Sequence, residues 1–178
     1  MAAPRKTEAR HRARELATQL LYSLDNHPGQ EIEEALELFL GEESLAEAEH
    51  PEVKEYCRFL ARGAWEKKAE ADEILLRVVT GWRPERMVSV DRAVLRMAIF
   101  EGFLSQAGRV PFALAISEAV KIARVFGTDS SARFVNGVLA RVAGHLFPEE
   151  ARRKAGNRSE EEHARSEAAE GTPAPASR

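Results

Sequence analysis

Residues 116–139 read ISEAVKIARVFGTDSSARFVNGVL. A segment of helical period runs into a Gly127-Thr128-Asp129-Ser130 break, and a second helix follows with Arg133 and Phe134 in its first turn. Gly127 ends the first helix, and Asp129 or Ser130 is placed to cap the second. The second helix carries Phe134, Val135, Val138, Leu139, Val142 and Leu146 as its apolar stripe. Two amphipathic helices joined by so short a break must pack on each other or on further helices, which points to a helical bundle.

Outward from this pair the period stays helical, with no strand-like alternation of useful length. Pro111 opens the helix that Gly127 ends. Before it, Val90 to Leu104 places apolar groups almost all round the axis, so this helix is predicted to run through the middle of the bundle. Ser89 reads as its N-cap, and Asp91 complements the dipole there. A first stripe of Leu16, Ala17, Leu20, Leu21 and Leu24 ends at Asn26-His27-Pro28-Gly29, and a second of Ile32, Leu36, Phe39 and Leu40 ends at Gly41. Pro51 suits the first turn of a third helix. That helix buries Val53, Tyr56, Cys57 and Leu60 and is read as continuing past Trp65 through Ile74, Leu75 and Val78 to Gly81. Pro84 starts a short fourth. The fold class is therefore all-α, a compact bundle of about seven helices.

With 178 residues, 44% hydrophobic, 31% charged and a formal net charge of -3, the chain fits one globular domain. Its last large apolar residue is Phe147. From Ala151 onward the only apolar residues are alanines, set among charges, Gly171, Pro173 and Pro175. Such a segment cannot bury enough surface to offset its ordering entropy. The expectation is a helical domain over 1–150, folded between residues 7 and 148, and a disordered charged tail over 151–178. A lone Cys57 excludes an internal disulfide and a multi-cysteine zinc site, and the five histidines include no pair at metal-ligand spacing. No metal and no cofactor are expected. No apolar run approaches the roughly 20 residues of a membrane span, the N-terminus lacks the apolar stretch of a signal peptide, and the reducing cytoplasm is the natural compartment.

Near-neutral total charge hides an asymmetry. Residues 1–14 hold Arg5, Lys6, Arg10, Arg12 and Arg14 against Glu8 alone, whereas residues 31–55 hold ten Glu against Lys54. The basic end can meet phosphate and the acidic stretch repels it, although the glutamates also read simply as a solvated helix face. Arginines in the opening turns of a helix face the positive end of the macrodipole, an arrangement that stability does not favour. At 100° per residue, His11, Arg14, Thr18 and Tyr22 fall on one flank beside the leucine stripe. Cations beside an exposed ring suit single-stranded RNA, and a merely soluble, frayed terminus fits the same residues. At the start of the last helix, the amides of Ser131, Ala132 and Arg133 form an anion site to which Arg133 adds a forked donor. Phe134 reads either as core or as a base-stacking platform. Asn136 and Gly137 are read as structural, Gly137 by admitting a neighbouring backbone. Catalysis has no foothold: there is no glycine-rich phosphate loop, no Gly-x-Ser-x-Gly elbow, and no lysine after Gly127-Thr128-Asp129-Ser130. Cys57 sits in an apolar stripe and reads as core.

Three blocks in order, RHRARELATQLLYSLD at 10–25, VDRAVLRMAIFE at 90–101 and the segment quoted first, resemble the NusB family of bacterial transcription antitermination factors. The resemblance runs from Arg10 to Leu146. It implies an all-helical, non-enzymatic RNA-binding protein in which the arginine-rich first helix and the start of the last helix lie together. These would bind boxA, a short single-stranded signal in ribosomal RNA leaders, and so support processive elongation by RNA polymerase. Residue by residue it brings over Arg10, Arg12, Arg14 and Tyr22 from the first block and Ser130, Arg133 and Phe134 from the last. His11 stands where relatives often have arginine. The family's second surface binds NusE, a basic small-subunit ribosomal protein, and Glu85 and Asp91 match acidic positions on that face. Ala140 and Ser117 depart from a common acid and a common asparagine. Two other readings stay open: a protein-docking bundle without RNA, and a relative of the NusB-like domain found in some RNA cytosine methyltransferases. A homodimer also stays open, because an apolar stripe can face a second copy as readily as its own core.

Overall fold

The computed structural model describes residues 5–41 and 50–149. Among these there are seven α-helices and no strand: α1 (Lys6–Asn26), α2 (Ile32–Gly41), α3 (Pro51–Glu66), α4 (Lys68–Val78), α5 (Ser89–Ile99), α6 (Phe112–Phe126) and α7 (Ser131–Leu146). A 3-10 turn at Pro84–Arg86 precedes α5, and α5 runs on into a π-helical turn at Phe100–Leu104. The predicted all-α class and helix count hold, but two elements differ from their sequence reading. The helix expected to continue from Pro51 to Gly81 breaks at Lys67, whose amide turns back to the Gly63 and Trp65 carbonyls. The break lets Asp72 on α4 take both ends of the Arg96 guanidinium on α5, at 3.0 and 2.6 Å. The short helix expected at Pro84 is a single 3-10 turn.

Two compact units divide the chain after Val142. In the first, α5 runs through the core as its all-round apolar pattern predicted, and every residue from Asp91 to Gly102 is buried. Close packing about it needs a missing side chain: a Cβ at Gly63 would lie 1.9 Å from the Phe100 ring. Cys57 is buried with the α3 stripe. Of the second unit, the described residues are the end of α7 and residues 147–149, with the Phe147 amide donating to the Ala143 carbonyl. The tail expected over 151–178, and residues 42–49 of the acidic stretch, lie outside the described residues.

The central helix also buries four charged residues, Asp91, Arg92, Arg96 and Glu101. A buried charge is tolerable only when paired. Arg92 and Arg96 both donate to Asp25 on α1, at 2.7 and 3.2 Å. Arg92 also caps the Pro84 carbonyl, fixing the 3-10 turn against the start of α5. Ser89 is the first residue of α5 rather than its cap; Val88 holds the cap position without a side-chain bond. No helix among the described residues is long and apolar enough to cross a membrane.

Candidate nucleic-acid interface

The basic start of α1 is made tolerable by Glu8, whose carboxylate accepts the Arg5 amide at 3.3 Å in the first turn. Of the residues predicted here, Arg10 and Arg12 are half-exposed and Tyr22 is 45% exposed. The Arg10 guanidinium lies 5.0 Å from the Tyr56 ring centroid, and Arg12 reaches Glu15 at 3.1 Å. His11 is half-exposed, its Nδ1 2.6 Å from Glu118 Oε2.

Arg14 must be corrected. It is 3% exposed, and its Nε and Nη2 fork onto the Glu101 carboxylate at 2.9 and 2.7 Å. Burial works against its charge, but the Glu101 hydrogen bonds and charge more than offset this and hold the guanidinium above its ordinary range. Tyr56 donates its hydroxyl to the same carboxylate; burial first, and that hydrogen bond second, push the phenol well above its ordinary value. Arg14 is thus a structural cation joining α1 to α5. Thr18, expected on the exposed flank, is buried as well and donates to the Arg14 carbonyl at 2.9 Å.

Glu118 on α6 is where the α1 cations meet the rest of the surface. Its carboxylate accepts from His11, from Arg14 at 3.5 Å and from Lys121 at 2.6 Å. Burial pushes this carboxyl up, yet the bonds from Lys121 and His11 and the Arg14 charge bring it below the usual range. Lys121 is exposed, and one turn further along α6 so is Arg124. Arg124 and the exposed Arg133 line one groove of about 520 Å³ with Thr128, Asp129 and Asn136. The two cationic clusters far apart in sequence are therefore bridged by α6. Asn136, read from the sequence as structural, lines this groove; Lys121 and Arg124 were not singled out, although they stand three residues apart just before the break, as cations sharing a helix face do.

At the start of α7, Ser130 is exposed and Phe134 half-buried. The expected free amide of Ser131 is not available, because it donates to the Thr128 carbonyl at 3.0 Å. Nor does Gly137 admit a backbone: a Cβ there would meet nothing within 4 Å, and the residue is exposed beside the groove-lining Asn136.

The predicted partner pair is separated by the fold. Glu85 is exposed on the 3-10 turn between exposed Arg83 and Arg86. Asp91 is 5% exposed with its Oδ1 buried, so it cannot meet a partner as a surface acid. A further cleft of about 650 Å³ has Tyr56 and Phe59, stacked at 5.7 Å, in its wall. Its rim balances Lys6 and Arg10 against Glu52 and Glu55, which gives it no preference for an anion.

The model of the NusB family matches residues 11–144. The transcription antitermination protein NusB of Symbiobacterium thermophilum is 40% identical over 137 residues, 75% of this chain and 88% of that protein. Among solved structures, NusB of T. maritima superposes with a TM-score of 0.66 at 31% identity, covering 80% of this chain and 92% of that one. A chain from a crystal structure of antitermination factors NusB and NusE in complex with dsRNA gives 0.63 at 23% identity, covering 76% and 96%, a likeness of fold.

Proposed function

The chain belongs to the NusB family of transcription antitermination proteins, and on that premise we propose that it binds single-stranded boxA RNA of ribosomal RNA leaders together with NusE. The complex acts in the cytoplasm to keep RNA polymerase processive. What supports this most directly is that α6 brings the cations together, His11 and Lys121 meeting on Glu118 and Arg124 sharing a groove with Arg133, while Tyr22 on α1 is exposed and Phe134 on α7 half-buried. Phosphates need neutralising by such cations and unstacked bases need flat partners. Arg10, His11, Arg12, Tyr22, Ser130, Arg133 and Phe134 are the contacts carried from the sequence; Lys121, Arg124 and Asn136 join them, and Arg14 supports them from below.

NusE docks beside the 3-10 turn, where Glu85 is the exposed acid of the predicted pair. RNA alone binds modestly, and the NusE complex binds more tightly, because a basic partner adds contacts to the same strand. The test is anisotropy of a labelled boxA oligonucleotide against a scrambled single strand and a duplex, each with and without NusE. Preference for the boxA strand that sharpens with NusE is expected. Equal binding of all three would remove boxA recognition, and no RNA binding under any condition would leave a protein-docking bundle.

A further inference from the structure

Glu118 on α6 is 6% exposed, yet the two residues it bonds most closely reach the surface from different helices. Its Oε2 lies 2.6 Å from Nδ1 of the half-exposed His11 on α1, and its Oε1 accepts from Nζ of the exposed Lys121 on α6 at 2.6 Å. Arg14 approaches the same Oε2 at 3.5 Å, but its guanidinium already forks onto Glu101 at 2.9 and 2.7 Å. The buried Arg14–Glu101 pair is therefore neutral without Glu118. The carboxylate of Glu118 serves the surface donors instead. Burial works against its charge, and the bonds from Lys121 and His11 together with the Arg14 charge hold it below its usual range all the same.

Both donors are engaged without being used up. An ionised carboxylate only accepts, so the hydrogen on His11 Nδ1 points at Glu118, and the other ring nitrogen is left 3.5 Å from Glu15 Oε1, longer than an ordinary hydrogen bond. Lys121 gives one of its ammonium hydrogens to Glu118 and keeps the others, with 58% of its side chain exposed. A lysine and a histidine ring lose rotamer freedom when they grip a ligand, and a carboxylate that fixes them beforehand removes that cost from binding. We propose, resting on the RNA reading above, that Glu118 is a positioning residue for RNA binding: it fixes His11 of α1 and Lys121 of α6 as one pair of donors for the RNA backbone.

Positioning and plain electrostatics predict opposite patterns. If Glu118 merely repelled RNA or competed with it for these donors, removing its charge would tighten binding, and a shorter carboxylate would change little. The full-length protein and its Glu118→Ala and Glu118→Asp variants are to be titrated with a labelled boxA oligonucleotide well below their melting temperatures. Glu118→Ala leaves both donors loose and should weaken binding about threefold or more although an anion is lost. Glu118→Asp, whose stem is a carbon too short to hold both donors, should weaken it in the same direction at unchanged charge. Lys121→Ala should cost less affinity in the Glu118→Ala background than in wild type, a coupling that a merely structural role does not produce. Unchanged or tighter binding by Glu118→Ala overturns the proposal, as does additivity of Glu118→Ala with Lys121→Ala. Should Glu118→Ala fail to fold, wild-type affinity in Glu118→Asp overturns it alone. A wild type that binds no RNA overturns the RNA reading and this proposal with it, whereas a wild type that binds RNA no better than its two Glu118 variants overturns the proposal and leaves the RNA reading standing.

Discussion

Arg14 and Glu101 close a forked, buried ion pair that ties the first helix to the central one, with Nη2 2.7 Å from Oε1 and both side chains almost wholly out of solvent. Tyr56 adds a donor to the carboxylate, and Glu118 a second acid within 3.5 Å of the guanidinium. An arginine in a run that looks like a phosphate-binding arm is in fact what holds that arm in place.

Arg14→Ala should therefore cost about 3–5 kcal/mol by leaving Glu101 buried and unpaired, a fall in melting temperature on the order of 10 °C for a domain this size. Arg10→Ala should cost under about 1 kcal/mol, since Arg10 is half-exposed. Thermal melts of the two variants decide it, and equal melting temperatures would mean that the buried pair contributes nothing.

The buried course of α5 and the capping of α6 at Gly127 were legible because each rests on local period or a single breaker residue, whereas the count of seven agrees because the break at Lys67 adds a helix where the one expected at Pro84 is a 3-10 turn. The ionic interior was not. Arg14 lies beside His11 on a helical wheel, and only the placement of Glu101 eighty-seven residues away turns it inward. Asp91 likewise reads as a surface acid at a helix start, yet the fold buries it. Phase along one helix shows which residues share a flank, but not which flank another helix will cover.

Lys121→Ala, Arg124→Ala and Arg133→Ala should each weaken boxA binding with little change in melting temperature, because these cations are exposed. With about four phosphates neutralised, log K should fall against log salt with a slope near -3 for a single strand. Each substitution should make that slope shallower by somewhat less than one. A slope that stays the same in all three variants would place the strand elsewhere.

Gly127→Ala should destabilise the protein by about 1–3 kcal/mol and weaken RNA binding with it, because the new methyl meets Ser131 and the Ala123 carbonyl at 2.6 Å or less. The cause is close approach and not backbone strain, since φ at Gly127 is -92°. Gly144→Ala, where a Cβ meets nothing within 4 Å, is the matched control and should be neutral or slightly stabilising. Denaturant midpoints of the pair check this, and a tolerated Gly127→Ala would show that Ser131 has room to move.

Glu118 and Asp91 should give opposite pH signatures. Glu118 is held below its ordinary 4.5, so it stabilises the fold above that pH and the contribution is lost as pH falls through the folded-state value. Asp91 is held above its ordinary 3.8, so its contribution is present below that pH and is lost as pH rises through the folded-state value. Glu118→Gln should thus lie below wild type at neutral pH and converge with it in acid. Asp91→Asn should gain on wild type as pH rises from 3.8 toward neutrality. Parallel stability curves for wild type and both variants would refute both assignments.

The partner face can be tested at Glu85 alone. Reversing Asp91 would place an ammonium group in the core, and a lost partner would then report only a damaged fold. Glu85 is exposed on the 3-10 turn, and this turn is held to the central helix by Arg92 bonding the Pro84 carbonyl, so Glu85→Lys leaves the turn's anchor in place. The flanking Arg83 and Arg86 make Glu85 the local acid available to a basic partner, and its reversal leaves three cations in a row of four residues. NusE should then bind at least about tenfold more weakly, through repulsion as well as a lost pairing. Binding of boxA alone should be unchanged, because Arg124, Arg133 and the α1 cations are untouched. Calorimetry with NusE and anisotropy with RNA must therefore dissociate. NusE affinity that survives Glu85→Lys in a folded protein would move the docking surface away from the 3-10 turn, while loss of both ligands together would mean that the two surfaces are not separate.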